Sequence, residues 1–508
     1  MRRSDTIFAR ASGAGRAGVA VFRLSGPRAR AIAELLSKRK LIARRPALAE
    51  IGDPGTGEPL DRGLVLFFVG PASYTGEDVA EFHLHGSRAV EAAFAEAAVR
   101  AGARPAEAGE FTRRALANGK LDLAQVEALA DLIDAETSQQ RKQALGQLEG
   151  RLSALAEAWR ARLIAVLAPL EADIDFPDEE DVPAAIAARA GPAIEALLSE
   201  LKSYREGAGR ARRLREGVAA AIIGAPNAGK SSLLNALAGA DVAIVSASAG
   251  TTRDVIETRL DLGGVPILFA DTAGLRDQST DEIEIEGVRR ALLRAETADL
   301  RVMVIDPFTE ERAAGGAEPL NKRGTSPSLE KGGLEAPASF FTKPALAERE
   351  GSKPLAPAHA EGDPPLAPPF QEGEENVPRE PLLRPGDIVV WSKKDLGAQP
   401  GPVPEGVLSF HVSARTGDGM AGLMAGLTAR AAILAGGSES AALTRIRHVQ
   451  AVEAAIAALE RALQLVAGAP ELAAEDARLA ARALGAITGA VGVEDVLDEI
   501  FSSFCIGK

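Results

Sequence analysis

Cysteine occurs once in 508 residues, at Cys505. No disulfide can therefore form within the chain, and a reducing compartment fits. Aromatic residues are scarce at 4%, inside an ordinary soluble hydrophobic fraction of 46%. No run of about 18 uncharged apolar residues occurs, so no membrane span is expected. The first residues, Met1-Arg2-Arg3-Ser4-Asp5-Thr6, carry no apolar segment of the secretory kind, and a cytoplasmic location is expected. Positive charge is in deficit: the net charge is −13. That argues against a broad nucleic-acid-coating surface and leaves room for a local basic patch. The length suits two to four domains with ample core.

One stretch organises the rest. Ala220-Ala221-Ile222-Ile223 is an apolar run, and Leu233-Leu234-Asn235-Ala236-Leu237 has helical character. Between them lies Gly224-Ala225-Pro226-Asn227-Ala228-Gly229-Lys230-Ser231-Ser232, a G-x-x-x-x-G-K-S loop. Its glycines let backbone N–H groups close around phosphates at a helix N-terminus. Lys230 reaches the β- and γ-phosphates in such loops, and Ser231 holds Mg2+.

Downstream residues narrow the nucleotide to GTP. Ser246-Ala247-Ser248-Ala249-Gly250-Thr251-Thr252 follows the first helix, where a switch loop belongs, and Thr252 offers Mg2+ a second oxygen. Asp271-Thr272-Ala273-Gly274 ends the next strand; its carboxylate supports Mg2+ through water and Gly274 can donate to the γ-phosphate. Guanine selection usually needs Asn-Lys-x-Asp. Here Ser392-Lys393-Lys394-Asp395 follows a strand, with serine in place of asparagine. Asp395 can accept from guanine N1 and its amine, which adenine cannot match, so selectivity is expected to persist while affinity falls. Ser413-Ala414-Arg415 fits the loop that contacts the guanine carbonyl. Asn321-Lys322-Arg323-Gly324 has no matching carboxylate and is rejected. Leu275 stands where many GTPases carry a water-orienting glutamine, so Asp281, Glu282 and Glu284 are the candidates for that task.

Along the chain, strands are expected at 18–24, 64–69 and 79–85, with helices at 28–37 and 89–101, giving a small α+β domain. From 121 to about 215 the spacing turns helical, with an acidic break at 173–183. Alternating strands and helices over 218–436 read as a doubly wound α/β domain. After 438 the chain is helical again, with Val452, Ile456, Leu459, Leu463 and Val466 on one stripe. Two helical blocks flanking the α/β domain imply one helical domain interrupted by it. Fourteen of the thirty prolines lie between Pro307 and Pro385. That segment is expected to be a disordered or extended surface insertion. Arg210, Arg212, Arg213 and Arg215 read as a solvated hinge, with contact to nucleic-acid phosphates as the second reading. His83 and His85 share one strand face and read as polar surface or pocket lining. Cys505 reads as structural.

The flanking motifs resemble those of the tRNA-modification GTPases of the MnmE (TrmE) family. Asp5-Thr6-Ile7, Gly15-Arg16-Ala17-Gly18, Ser73-Tyr74-Thr75-Gly76-Glu77-Asp78, Gly109-Glu110-Phe111-Thr112 and Asn118-Gly119-Lys120-Leu121-Asp122-Leu123-Ala124-Gln125 are similar to its N-terminal signatures. Phe504-Cys505-Ile506-Gly507-Lys508 is similar to its C-terminal one. The resemblance implies an N-terminal tetrahydrofolate-binding and dimerisation domain (1–120), a helical domain in two parts (121–215 and 437–508), and a GTPase domain (216–436) with the insertion at about 307–385. It implies a homodimer. It also implies an FAD-containing partner, MnmG, in a heterotetramer or larger complex, and tRNA as substrate. The implied reaction adds a carboxymethylaminomethyl-type group to C5 of the wobble uridine. A tetrahydrofolate derivative, the 5-formyl or 5,10-methylene form, supplies the one-carbon unit, and GTP hydrolysis drives conformational change.

By the same resemblance, Asn227, Ser246, Ser248 and Thr251 hold K+, and Glu284 is the catalytic glutamate beside Lys230 and Thr252. Arg23, Glu81, Lys120 and Lys508 contact the folate. Ser246 and Ser248 depart from the family's more usual threonine and aliphatic residue. Two rivals are a ribosome-assembly GTPase, which needs an RNA-binding KH-like domain after the GTPase domain, and a non-catalytic guanine-nucleotide switch scaffold.

Overall fold

The computed structural model describes residues 5–175, 190–225, 227–240, 242–244, 257–270, 296–308, 383–397, 399–436, 443–490 and 507. Its N-terminal sheet comprises β1 (Ile7–Arg10), β2 (Ala17–Ser25), β3 (Ala47–Gly52), β4 (Pro59–Phe68), β5 (Val79–Gly86) and β6 (Arg104–Pro105), in the order β3-β4-β5-β2-β1-β6. All neighbours are antiparallel except β1 and β6. Period-two alternation gives this sheet two unlike faces. Ala20, Phe22 and Leu24 of β2 are buried with Phe82 of β5, whereas Arg23 and Glu81 are register partners on the opposite face. Helices α1 (Ala29–Ser37) and α2 (Arg88–Arg100) cover the apolar face. Phe94 of α2 lies between Phe22 and Phe82, at ring distances of 4.7 and 5.0 Å. Burying such a ring contributes about 3 kcal/mol.

Helices α3 (Glu110–Ala117), α4 (Leu123–Asp134), α5 (Ser138–Leu148), α6 (Arg151–Asp175) and α7 (Ala190–Glu216) follow. Asp122 and Thr137 start α4 and α5 with capping boxes that satisfy backbone donors in both directions. The acidic break expected over 173–183 does not begin at 173, because α6 continues to Asp175; 176–183 lie outside the described residues. Val166, Leu170 and Ile174 pack on the bundle core, and that burial carries the helix past its first acidic residue.

The second sheet contains β7 (Val218–Ile223), β8 (Glu257–Leu262), β9 (Val265–Ala270), β10 (Leu300–Ile305), β11 (Ile388–Trp391) and β12 (Leu408–His411), in the order β12-β11-β10-β7-β9-β8. It is parallel except for the β8–β9 hairpin. That hairpin turns through Gly263 and Gly264, both at positive φ, as a two-residue turn requires. Helices α8 (Lys230–Ala238) and α9 (Met420–Ala435) belong to the same unit. Buried on both faces, the parallel strands read as continuous apolar runs such as Ala220-Ala221-Ile222-Ile223.

The chain then returns to helices α10 (Ile446–Leu465) and α11 (Pro470–Thr488). These pack with α6 and α7 around Trp159, Leu163, Leu197, Leu201, Val452 and Leu459. Ala473, Ala474, Ala477 and Ala480 are all buried, and their small side chains let α11 approach its neighbours closely. The helical domain is thus discontinuous in sequence and contiguous in space. Carboxylates of α4 join its halves. Glu127, 2% exposed, accepts from Arg447 at 2.6 Å and contacts His448 at 2.9 Å. Asp131 accepts from Arg445 at 2.7 Å and has Arg215 at 3.5 Å. Of the arginine cluster, Arg215 reaches this joint; Arg213 pairs with Asp299 ahead of β10 at 2.5 Å, and Arg212 and Arg215 approach Glu216 within the end of α7. Among the described residues, no helix is long and apolar enough to cross a membrane.

Candidate functional site

The phosphate loop leaves the C-terminal end of β7, where β10 and β9 flank it on opposite sides. That is a topological switch point, the usual ligand position in open α/β sheets. A Cβ on Gly224 would lie 2.1 Å from the carbonyl oxygen of Val304, so no side chain fits there. Gly229 takes φ 101° and opens α8. Asn227 adopts φ 62°, a left-handed conformation that asparagine tolerates better than most residues. The first N–H groups of α8 have no acceptor within the helix and face the loop. Lys230 Nζ donates to the carbonyl oxygens of Gly224 and Ala225, each at 2.8 Å. Burial pushes its pKa down, the cost of holding a cation where only neutral carbonyls meet it. A phosphate would give that ammonium an anionic partner. Ser231 and Ser232 stand exposed in the first turn, and Ala228 is buried.

The base side is tied to this loop by Ser392. Its Oγ donates to the carbonyl oxygen of Ala228 at 2.7 Å and lies 3.1 Å from that of Ile305. Its backbone N–H donates to Ile305 O at 2.9 Å. A hydroxyl thus bridges two loops far apart in sequence. Lys393, at φ 58°, pairs through Nζ with Asp306 at 2.5 Å, and Lys394 pairs with Asp418 at 3.0 Å. Asp395 Oδ1 accepts from Ser413 Oγ at 2.7 Å, and Oδ2 accepts from Arg415 Nη2 at 2.8 Å. The Ser413 hydrogen bond, with the Arg415 charge behind it, holds the Asp395 carboxyl below the usual range. It is ionised and oriented, as an acceptor for guanine must be. Arg415 is 79% exposed and free to yield its place to a base. Ala414 sits between these two partners.

The described residues therefore bring together Asn227, Ala228, Gly229, Lys230, Ser231, Ser392, Lys393, Asp395 and Ser413. Ser246, Ala247, Ser248, Ala249, Gly250, Thr251, Thr252, Asp271, Thr272, Ala273, Gly274 and Glu284 lie outside them, as do Pro226, Cys505 and Lys508.

A second cluster lies on the polar face of the N-terminal sheet. Arg23 Nε donates to Glu81 Oε1 at 2.9 Å, both side chains being about one-fifth exposed. The Arg23 guanidinium also stands over the rings of Tyr74 and Phe111, 5.1 and 5.8 Å from their centroids. Tyr74 Oη shares a 2.8 Å hydrogen bond with Thr112, and burial pushes the phenol's pKa up. His83 Nε2 is buried 3.8 Å from Glu81 Oε2, beyond hydrogen-bonding reach, and has no hydrogen-bond partner among the described residues. Lys120 is exposed, and its stem runs beside Gly76, where Asn118 also donates to Thr75 O at 2.7 Å. The loop bearing Tyr74 is held from behind by Arg114, which pairs with Glu77 at 3.1 Å, Asp5 at 2.9 Å and Glu110 at 2.9 Å. Gly507 packs against the backbone of Arg10 and Ala11, so the chain's end reaches this domain. The sequence motifs contain Tyr74 and Phe111 without revealing that both rings stand beneath Arg23, or that Thr112 bonds Tyr74.

Comparison with known proteins matches two family models in tandem. The GTP-binding protein TrmE N-terminus covers residues 6–120, and the MnmE helical domain covers 123–505. The tRNA modification GTPase MnmE of Parvibaculum lavamentivorans is 49% identical over 99% of this chain and 100% of its own length. The protein of that name from Maricaulis maris is 44% identical, and that from Caulobacter vibrioides 45%, each over 99% of this chain and 100% of its own length. The solved G domain of the T. maritima FeoB iron transporter aligns with 42% of this chain and 98% of that one, at 18% identity and a TM-score of 0.20, too low to bear on the fold.

Proposed function

The chain belongs to the MnmE family of tRNA modification GTPases, and on that premise we propose that it hydrolyses GTP in the service of wobble-uridine modification. The observation that carries the GTP half is the 2.7 Å bond from Ser392 to Ala228. It joins a phosphate loop to an ionised, oriented Asp395, so one framework offers phosphate donors and a guanine acceptor. In the reaction, water adds to the γ-phosphorus as the bond to the β–γ bridging oxygen breaks, giving GDP and inorganic phosphate. Lys230 and the α8 N–H groups neutralise charge on the phosphate oxygens. Glu284 is our candidate for orienting water, because Leu275 has no polar group to do so.

Mg2+ would be held by Ser231 and Thr252 and would offset charge on the β- and γ-oxygens. The exposed Ser231 hydroxyl at the head of α8 suits that role. K+ would be held by Asn227, Ser246, Ser248 and Thr251, a set of neutral oxygens suited to a hard monovalent cation. The exposed, left-handed Asn227 is compatible with it. We further propose that Arg23, Glu81, Lys120 and Lys508 hold a tetrahydrofolate derivative. Support comes from the paired cation and carboxylate against aromatic rings, which suit a pterin edge and face. In this reading residues 1–120 bind folate and dimerise, 121–215 and 437–508 form the helical support, and 216–436 turn over GTP. MnmG brings the FAD, and the complex works in the cytoplasm.

The ribosome-assembly reading loses its main requirement, because α10 and α11 pack as bundle helices where a KH-like domain would begin. Turnover of GTP and ATP in K+ and in Na+ tests the proposal. GTP-selective hydrolysis several-fold faster in K+ is expected; nucleotide binding with no hydrolysis in either salt would support the switch scaffold instead.

A further inference from the structure

Among the described residues the glycine-rich loop between β1 and β2 gives no side chain to either cluster above, although its Ala11 backbone meets Gly507. Gly15 has φ 102°, and a Cβ on Gly13, Gly15 or Gly18 would meet nothing within 4 Å. At Gly13 neither packing nor a positive φ within the chain calls for bare backbone. The loop is nonetheless firmly held. Arg10, 10% exposed, donates to Gly15 O and to Glu91 Oε2, each at 2.9 Å. Ser12 Oγ accepts from the Val21 N–H at 3.1 Å. Gly86 of β5 admits Ala17 so closely that a Cβ there would lie 2.9 Å from Ala17 O.

This loop, His85 to Arg88 and the first turns of α2 enclose a cleft of about 1030 Å³. Its carboxylates are already matched, Glu91 by Arg10 and neighbouring Asp61 by His85 at 2.8 Å. Arg16 and Arg88 stand exposed on its rim, and among the described residues neither has a carboxylate partner. Ala14, Ala17, Ala92 and Ala95 line the walls, and the ring in the lining, His85, is held by Asp61. Bare backbone and unpaired guanidinium groups suit the sugar–phosphate backbone of a helical RNA, read by shape and charge.

We propose that the cleft bounded by Arg10, Arg16 and Arg88 docks the phosphodiester backbone of a structured RNA. The proposal rests on the reading of tRNA as this chain's substrate. Its test is the binding of labelled total tRNA to the full chain, followed by anisotropy across a salt series. Arg16→Gln/Arg88→Gln should weaken binding roughly 10- to 30-fold and reduce the slope of log K against log salt by about 2. Nucleotide affinity and sedimentation should be unchanged, and Arg16→Lys/Arg88→Lys should restore most of the loss. Equal affinity and slope in the glutamine variant would overturn the proposal. So would a changed oligomeric state with RNA binding intact, which marks a face for a second copy. Displacement of tRNA by inorganic phosphate at fixed ionic strength would mark a small-anion site and overturn it too. If the unaltered chain bound no tRNA, the substrate reading itself would fall.

Discussion

Ser392 stands where asparagine is usual, and the sequence alone suggests a weakened site. Its hydroxyl nevertheless finds the Ala228 carbonyl. Ser392→Ala leaves that buried acceptor without its donor, a loss of about 1–2 kcal/mol. GDP affinity, measured with a fluorescent analogue, should fall roughly 5- to 30-fold, and Ser392→Asn should hold it near the original. Asp395→Asn exchanges a double acceptor for a donor and an acceptor. Competition binding should then show preference moving from guanine to xanthine nucleotides; retained guanine preference would remove Asp395 from its proposed role. The glycines, Lys230 and Asp395 are legible in sequence because their spacing is local. The tie from Ser392 to the phosphate loop is not, because β11 must pair with β10 and β10 with β7 before those loops meet. The same holds for Arg23, Glu81 and Tyr74, which only cross-strand register and a folded loop bring together.

Helix α4 fastens both halves of the helical domain, and its chemistry predicts a pH dependence. Burial alone would raise the Glu127 carboxyl, but hydrogen bonds from His448 and Arg447 and their charges outweigh it and hold its pKa at about 2. The folded value lies below the unfolded 4.5. Stability from this group is therefore present above pH 4.5 and lost as pH falls from there through about 2, amounting to about 3 kcal/mol. Burial pushes His448 below 6.5 despite Glu127 beside it, with Arg445 and Arg447 acting in the same direction as burial. Its neutral form is favoured in the fold, so the acid loss begins below 6.5. Urea unfolding from pH 7 to pH 3 should show this decline, and Glu127→Gln should be less stable at pH 7 with a flatter dependence below 4.5. Elements built on apolar runs, such as β7 and β9 to β11, are legible in the sequence. Those held by backbone pairing alone are not: β4 begins at Pro59, and its polar half pairs with β3, a strand the hydrophobic pattern does not announce.

Across the whole molecule, β10 and β11 pair in parallel on either side of the proline-rich segment. Deleting residues 314–380 leaves fifteen residues to link them, about 50 Å of extended chain and ample for one crossover. The shortened chain should unfold in one cooperative transition and keep its GTP turnover; loss of that transition in a calorimetric scan would show the segment to be structural. The interrupted helical domain was legible because two amphipathic blocks flank one α/β pattern, whereas the carboxylate clamp between them required the folded geometry. The account stands or falls on what happens to RNA in the cell. Mass spectrometry of wobble uridine in tRNA from a bacterial strain lacking its own relative of this protein, complemented with this chain or with Lys230→Ala, decides it. The account predicts that the modified nucleoside returns with the unaltered chain and is absent with the variant. Unmodified uridine in both, or full modification with Lys230→Ala, would contradict it.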